Sequence, residues 1–435
     1  MSTTYFGKQT QAAISNFPFS APPVHKELII AVTQVKKAAA LANKQTGQLS
    51  PEIADAIVTA AGELLAGKFD DQFPLPSIQG GAGTSINMNV NEVLAARATE
   101  LLADKKISVH PNDHVNMAQS TNDVNPSALK IACITLTTSL LKSTQQCIAS
   151  FASKGREFAR VYKLGRTHLQ DAVPVTLGSE FASYAATLTR DMKRVEARLP
   201  FLHELNLGGT AVGNSINASK AYQKAVYEDL SNVTGFPVKP AENFMSQTSS
   251  QTDFVSLSQA VLALTLDASK IANDIRLMSS GPIGGLGELI LEELQAGSSI
   301  MPGKVNPILP EAVNQLYYTV SGNNLTIEHA SHASFLELAN MFPILADRLI
   351  SSLKLTDEIL KQFSVKCVAT IRVNEERCRE LLERSSAYAT LLAPVLGYDT
   401  VSAIVKESLK TGSSIRTLVL SKKLLSEAKF DEAVQ

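Results

Sequence analysis

Side chains able to act on a small polar ligand collect in five short stretches of this 435-residue chain. They are QGGAGTSINMNVNE (79–92), HPNDHVNMAQSTND (110–123), LGRTHLQDAVPVTLG (164–178), GGTAVGNSIN (208–217) and GSSIMPGKVNP (297–307). Any one of them alone reads as a loop between helices with ordinary capping residues. Taken together they share an inventory of hydroxyls and amides with a histidine and a lysine, and carboxylates are few. Such donors, with one fixed cation, suit a dianion: two carboxylates can be held without an opposing charge.

The elements that must position these stretches are helical. Stretches 128–159, 179–205, 254–280, 309–332 and 342–366 repeat apolar residues at three- and four-residue steps and exceed the ~11 residues usual for a globular helix. Convincing alternating strands are absent, so the sequence predicts a mainly α fold. Long helices rich in small residues, without sustained heptads, indicate a bundle. Apolar character on more than one face points to burial against other subunits. Three zones follow: an N-terminal helical domain at 1–121, a central helix-bundle domain at 122–376 and a small C-terminal domain at 377–435, broken at Gly397 and Gly412.

Composition narrows the function classes. Hydrophobic residues make up 45% and charged residues 19%, with a formal net charge of −1. No overall field therefore draws the chain to nucleic acid or an anionic membrane. The expectation is no nucleic-acid and no membrane partner, since no run approaches the ~20 apolar residues of a spanning helix. The N-terminal letters lack the pattern of a signal peptide. Cys133, Cys147, Cys367 and Cys378 show no metal-ligand spacing and read as reduced thiols of a cytoplasmic protein. The pairs His110/His114 and His329/His332 have no carboxylate or cysteine to complete a set, so no metal and no cofactor is expected.

The segment GSSIMPGKVNP is similar to the signature of the fumarase/aspartase superfamily, and the other four segments match that family in order. The likeness runs from about Tyr5 to the C-terminus. It implies a three-domain fold, a homotetramer with a twenty-helix core, and active sites shared between subunits. It also implies an anti β-elimination that gives fumarate through an aci-carboxylate intermediate.

By the same resemblance Ser298 is the base. A serine hydroxyl needs activation for that task, and Gly297, Gly303, backbone donors of the loop and the charge of Lys304 are the candidates. Lys304 and Asn306 correspond to the grip on the carboxylate that gains charge in the transition state, where prearranged donors lower the barrier most. Ser299 belongs to the same binding loop. Thr84, Ser120, Thr121 and Asn122 match residues that hold the second carboxylate and the leaving group. Thr167 and His168 lie in GRTH, and Glu311 matches the acid that pairs with this histidine and fixes its tautomer. His110, Asn112 and Asp113 resemble a peripheral dicarboxylate site and are read as structural, Asp113 suiting a helix start.

Within the superfamily three letter groups favour an amino-acid lyase: GAGTS rather than GSGTQ, QSTND rather than SSND, and PILPEAVNQ after the signature. The expected reaction is L-aspartate to fumarate and ammonia, an aspartate ammonia-lyase activity. Alternatives are a class II fumarate hydratase, a lyase of an N-substituted aspartate, and a non-catalytic structural homotetramer. Asn214-Ser215, Met117 and Ile283 depart from the usual family letters.

Overall fold

The computed structural model describes residues 4–434. It is mainly helical, as expected, and among the described residues six helices of twenty residues or more dominate: Lys26–Gln45, Thr121–Glu157, Leu177–Glu196, Thr252–Met278, Ile308–His332 and Phe342–Lys366. Convincing alternating strands were not expected, and the strand content is small but not nil. One antiparallel hairpin joins Tyr162–Thr167 to Gln170–Thr176, and two-residue pairings link 204–205 to 239–240 and 289–290 to 372–373. The hairpin escaped notice because its strands carry Lys163, Arg166 and Asp171 where clean alternation would call for apolar residues.

Two compact units can be separated. The first contains the residues up to Lys142 with Asp191–Thr265 and Tyr317–Asp357. In it, Lys26–Gln45 buries Leu28, Val32, Val35 and Ala39, the three- and four-residue spacing of one helix face. The carboxylate of buried Glu92 fastens the short helix Lys8–Asn16, accepting from the amides of Gly7, Gln9 and Thr10 at 2.9, 2.9 and 3.1 Å. An acid at a helix N-terminus answers the free N–H groups there.

The second unit contains Ser143–Arg190, Leu266–Leu316 and the residues from Glu358 on. Its aromatic core centres on Phe151, whose ring lies 5.9 Å from Phe181, 5.7 Å from Tyr184 and 6.1 Å from Phe363. A separate apolar cluster of Leu392, Ile404, Ile415, Val419 and Phe430 gathers the short helices near the C-terminus.

Two helices, Thr121–Glu157 and Thr252–Met278, do reach the length and hydropathy of a membrane span, against the reading that no run approaches it. Their most apolar windows are 72% and 56% buried inside the protein, which marks them as core elements.

The four cysteines are free and buried; burial pushes the Cys147 and Cys367 thiols up to about 12. A Phe151→Ala variant should lose about 3–5 kcal/mol of stability, the usual cost of emptying an aromatic core position. Urea unfolding followed by circular dichroism checks this, and a loss below about 1 kcal/mol would mean the cluster does not organise this unit.

Candidate active site

The stretch 297–307 is a loop whose neck is closed by Asn306, its Nδ2 donating to the Gly297 carbonyl at 2.7 Å. Position 297 must be glycine, because a Cβ there would lie 1.9 Å from the Lys304 carbonyl oxygen. Inside the loop the Ser298 Oγ accepts from the amides of Ile300 at 3.2 Å and Met301 at 3.0 Å. Two donors aimed at one oxygen favour its deprotonated form. Lys304 is exposed and has no protein partner among the described residues, and Ser299 is exposed beside Ser298. Asn306, expected on a carboxylate, has one of its amide protons committed to Gly297. A cleft of about 1040 Å³ is lined by Gly303, Lys304, Arg276, Asn273, Glu311 and Asn374. Within one chain Glu311 faces Arg276, Oε1 to Nη2 at 3.8 Å, and no His168–Glu311 ion pair forms among the described residues.

His168 sits at the tip of the hairpin. Thr167 pairs with Gln170, so His168 and Leu169 form a two-residue turn with φ of 56° and 61°. Such turns normally carry Asn-Gly, because left-handed backbone costs other residues about 1–2 kcal/mol each. Buried charge anchors the hairpin at its base. Arg166 reaches Glu288 with Nη2 to Oε1 at 2.9 Å and Nη1 to Oε2 at 3.2 Å, and Lys163 lies 3.0 Å from Glu180 and 3.4 Å from Glu288. Glu288 is fully buried, and a paired guanidinium is what makes an ionised carboxylate tolerable there. Burial raises Glu180, with Lys163 opposing.

The other unit carries Thr84 and Ser120–Asn122. Thr84 opens the helix Thr84–Leu101 after a turn in which Gly81, Ala82 and Gly83 all have positive φ. Its hydroxyl donates to the Gly81 carbonyl at 2.8 Å. Asn125 Nδ2 donates to the Ala82 and Gly83 carbonyls at 3.2 and 3.0 Å; a Cβ at position 83 would stand 2.6 Å from that nitrogen. QSTND is a capping box. Ser120 Oγ accepts from the Asn122 amide at 3.2 Å, and Asp123 Oδ1 from the Ser120 amide at 2.8 Å. Asp123 Oδ2 accepts from Gly208 and Thr210, both at 2.9 Å, which ties 208–217 to 120–123. Asn122 Nδ2 donates to the Ala211 carbonyl at 2.8 Å.

Beneath this pair of segments lies Lys36, fully buried, its Nζ donating to Asn116 Oδ1 at 2.8 Å and Gln119 Oε1 at 2.9 Å. Asn87 Nδ2 bridges Asn116 Oδ1 and Thr121 Oγ1 at 3.2 and 3.3 Å. Burial pulls the Lys36 ammonium down to about 7, against the attraction of Asp123. It pushes Asp123 up to about 6, against its three amide donors and Lys36.

Sequence reasoning missed Lys36, Asp123, Asn125 and Glu288 as positioning residues. A signal existed for Lys36: it falls on the same face as Val32, Ala39 and Ala40, where a charge is out of place. His110 acts as read, structurally. Its Nδ1 accepts from the Asp113 amide at 3.1 Å and so caps Pro111–Val115, a single π-helical turn rather than the start of a longer helix. Of the departing letters, Asn214 Oδ1 accepts from Ile216 at 3.3 Å, Ser215 has positive φ, and Met117 gives its carbonyl to Asn43 and Gln119. Ile283 is almost wholly exposed.

With this geometry in view, the comparisons with known proteins converge. Residues 2–322 match the lyase family model and 389–435 that of the fumarase C C-terminus. The chain belongs to the fumarase/aspartase superfamily of lyases. It is 44% identical over 431 residues to an aspartate ammonia-lyase of Bacillus sp, covering 98% of this chain and 92% of that one. It is 41% identical to an aspartate ammonia-lyase of Escherichia coli K12, covering 98% and 91%. Among solved structures it resembles a fumarate lyase:delta crystallin from Brucella melitensis bound to cobalt, with TM-score 0.95, 43% identity and coverage of 99% and 95%. A class II fumarase from Schistosoma mansoni matches with TM-score 0.93, 34% identity and the same coverage. Among the described residues no three His, Cys, Asp or Glu side chains gather as a metal set.

Replacing Lys36 by Met removes the donor to Gln119 Oε1 and one of the three donors to Asn116 Oδ1 among the described residues, a penalty of about 1–3 kcal/mol. Amide hydrogen exchange at Ser120–Val124 should then accelerate by about five- to hundred-fold. Unchanged exchange would show that the ammonium does not hold this segment.

Proposed function

We propose that the chain is an aspartate ammonia-lyase, catalysing the reversible elimination of ammonia from L-aspartate to give fumarate. The observation that carries this reading is the Ser298 hydroxyl, held by two backbone amides inside a loop that also presents Lys304. The aspartate ammonia-lyases to which the chain is similar over nearly its full length supply the substrate.

In this mechanism the Ser298 oxygen takes the Cβ proton. The pair left behind moves onto the adjacent carboxylate, which becomes a dianionic aci-carboxylate stabilised by Lys304 and Asn306, with Ser299 binding beside them. For Asn306 this requires its free amide proton or release of Gly297. Collapse of the intermediate forms the Cα–Cβ double bond, and the Cα–N bond breaks with its pair going to nitrogen. Thr84, Ser120, Thr121 and Asn122 hold the second carboxylate and the departing amine. Thr167 and His168 complete the grip, and Glu311 of another subunit orients His168. No organic cofactor takes part.

The proposal includes a homotetramer with a twenty-helix core and sites shared between subunits, with the three zones 1–121, 122–376 and 377–435, in the cytoplasm. Apolar exposure in a single chain supports assembly: Tyr318 and Leu325, seven residues apart on one helix, are 62% and 54% exposed. Leu169 beside His168 is 72% exposed and Ile300 beside Ser298 is 83% exposed, a cost to a lone chain that a neighbouring subunit would remove.

Fumarate absorbance is expected to rise with L-aspartate, and to fall with fumarate only when ammonium is added. Malate formed from fumarate without ammonium would replace this reading by a hydratase. A Ser298→Ala variant should keep its oligomeric state by light scattering and lose turnover by about 10²–10⁴-fold, the contribution of a positioned base. Near-normal turnover would overturn that role. Lys304→Ala should raise KM and lower kcat together, because its charge meets ground and transition states alike; a change in KM alone would remove it from the transition state.

A further inference from the structure

Behind the residues proposed to hold the leaving amine lies a cavity of about 10 Å³, the space one water molecule needs. Thr121 and Asn122 form part of its wall, and Asn125, Pro126, Thr248 and Gln251 continue it. Several of the polar groups here are already spent. Asn125 Nδ2 serves the carbonyls of Ala82 and Gly83, which also fixes which end of that amide is oxygen. Thr248 Oγ1 donates to the Phe244 carbonyl at 2.8 Å and accepts from Asn206 Nδ2 at 2.9 Å. Pro126 has no N–H to offer.

Two groups are left over. Asn125 is 1% exposed and Gln251 3% exposed, and the side-chain oxygens of both, Oδ1 and Oε1, have no hydrogen-bond partner. A buried acceptor without a donor is costly and rare. The leftover chemistry is that of two acceptors, so the occupant must donate at least two hydrogen bonds, fit the volume of one water, and need no anion partner.

We propose that this cavity is a binding site for ammonia or ammonium, in which Asn125 Oδ1 and Gln251 Oε1 accept from the nitrogen. The assignment rests on the ammonia-lyase reading and extends it past the residues that touch the amino acid. In elimination, the substrate ammonium leaves Cα with the bonding pair and is released as NH3. That molecule is a water-sized donor with three N–H bonds, and the cavity adjoins the side chains it leaves. Taking on the proton abstracted from Cβ turns it into ammonium, which the same two oxygens accept at least as well. In the amination direction the cavity raises the local concentration of the nucleophile next to fumarate. Water satisfies the same two acceptors when nitrogen is absent, and the test separates the two occupants.

The experiment is steady-state amination of fumarate in ammonium chloride at fixed pH, following loss of fumarate absorbance for the wild type, Gln251→Met and Gln251→Glu. Methionine keeps the bulk and removes the acceptor; glutamate keeps an acceptor oxygen. The expected result is a KM for ammonium raised about fivefold or more in Gln251→Met, with KM for fumarate within about twofold of wild type. Gln251→Glu should return the ammonium KM to the wild-type value or below it. An unchanged ammonium KM in Gln251→Met assigns the cavity to water alone and overturns the proposal. So does a fumarate KM rising in step, or a glutamate variant no better than methionine. If the wild type itself consumes no fumarate on adding ammonium, the ammonia-lyase reading fails, and this inference with it.

Discussion

The candidate residues of the first unit depend largely on a single buried carboxylate. Asp123 receives the Ser120 amide on one oxygen and those of Gly208 and Thr210 on the other, so two stretches 85 residues apart in sequence are registered against one rigid planar group. Lys36, held by Asn116 and Gln119, attracts that carboxylate without pairing with it directly. The arrangement holds only if the interior tolerates both charges. Burial drives each towards neutrality, opposed at Asp123 by three backbone donors and at both groups by their mutual attraction. Buried charges of this kind add little net stability; here the Asp123 carboxylate specifies geometry, fixing where Ser120, Thr121 and Asn122 stand.

The candidate residues of the second unit are organised by the same logic with different parts. The Arg166–Glu288 pair, with Lys163 and Glu180 beside it, locks the base of the hairpin. The Asn306–Gly297 bond closes the loop that carries Ser298. His168 at the hairpin tip and Lys304 in the loop are exposed, and the residues that hold these segments are wholly or partly buried. Chemistry that must meet a ligand sits on loops, and precision is delegated to the charges and amides underneath.

The helical architecture was legible in the sequence because apolar spacing in long segments is a redundant signal; the five long helices expected from it all lie near their observed places. The family was legible in the signature and its four companion blocks. The hairpin was not, since its residues answer to Glu288 and Glu180, far off in sequence, rather than to an alternating core. Nor were the supports of the site. Asp123 reads as one more polar letter in a capping box, and its contacts with 208–210 exist only in three dimensions. Lys36 was the exception, a charge misplaced on an apolar face, and its burial accounts for the anomaly.

The turn at His168-Leu169 has an implication for how such a chain changes over generations. Two side chains occupy backbone that Asn and Gly would fill at lower energy, so stability and utility pull this dipeptide in opposite directions. Any procedure that ranks substitutions by the fitness of an isolated subunit, natural drift or computational redesign alike, is steered towards Asn-Gly at this tip. His-Leu at this tip therefore answers to something other than the stability of the turn itself.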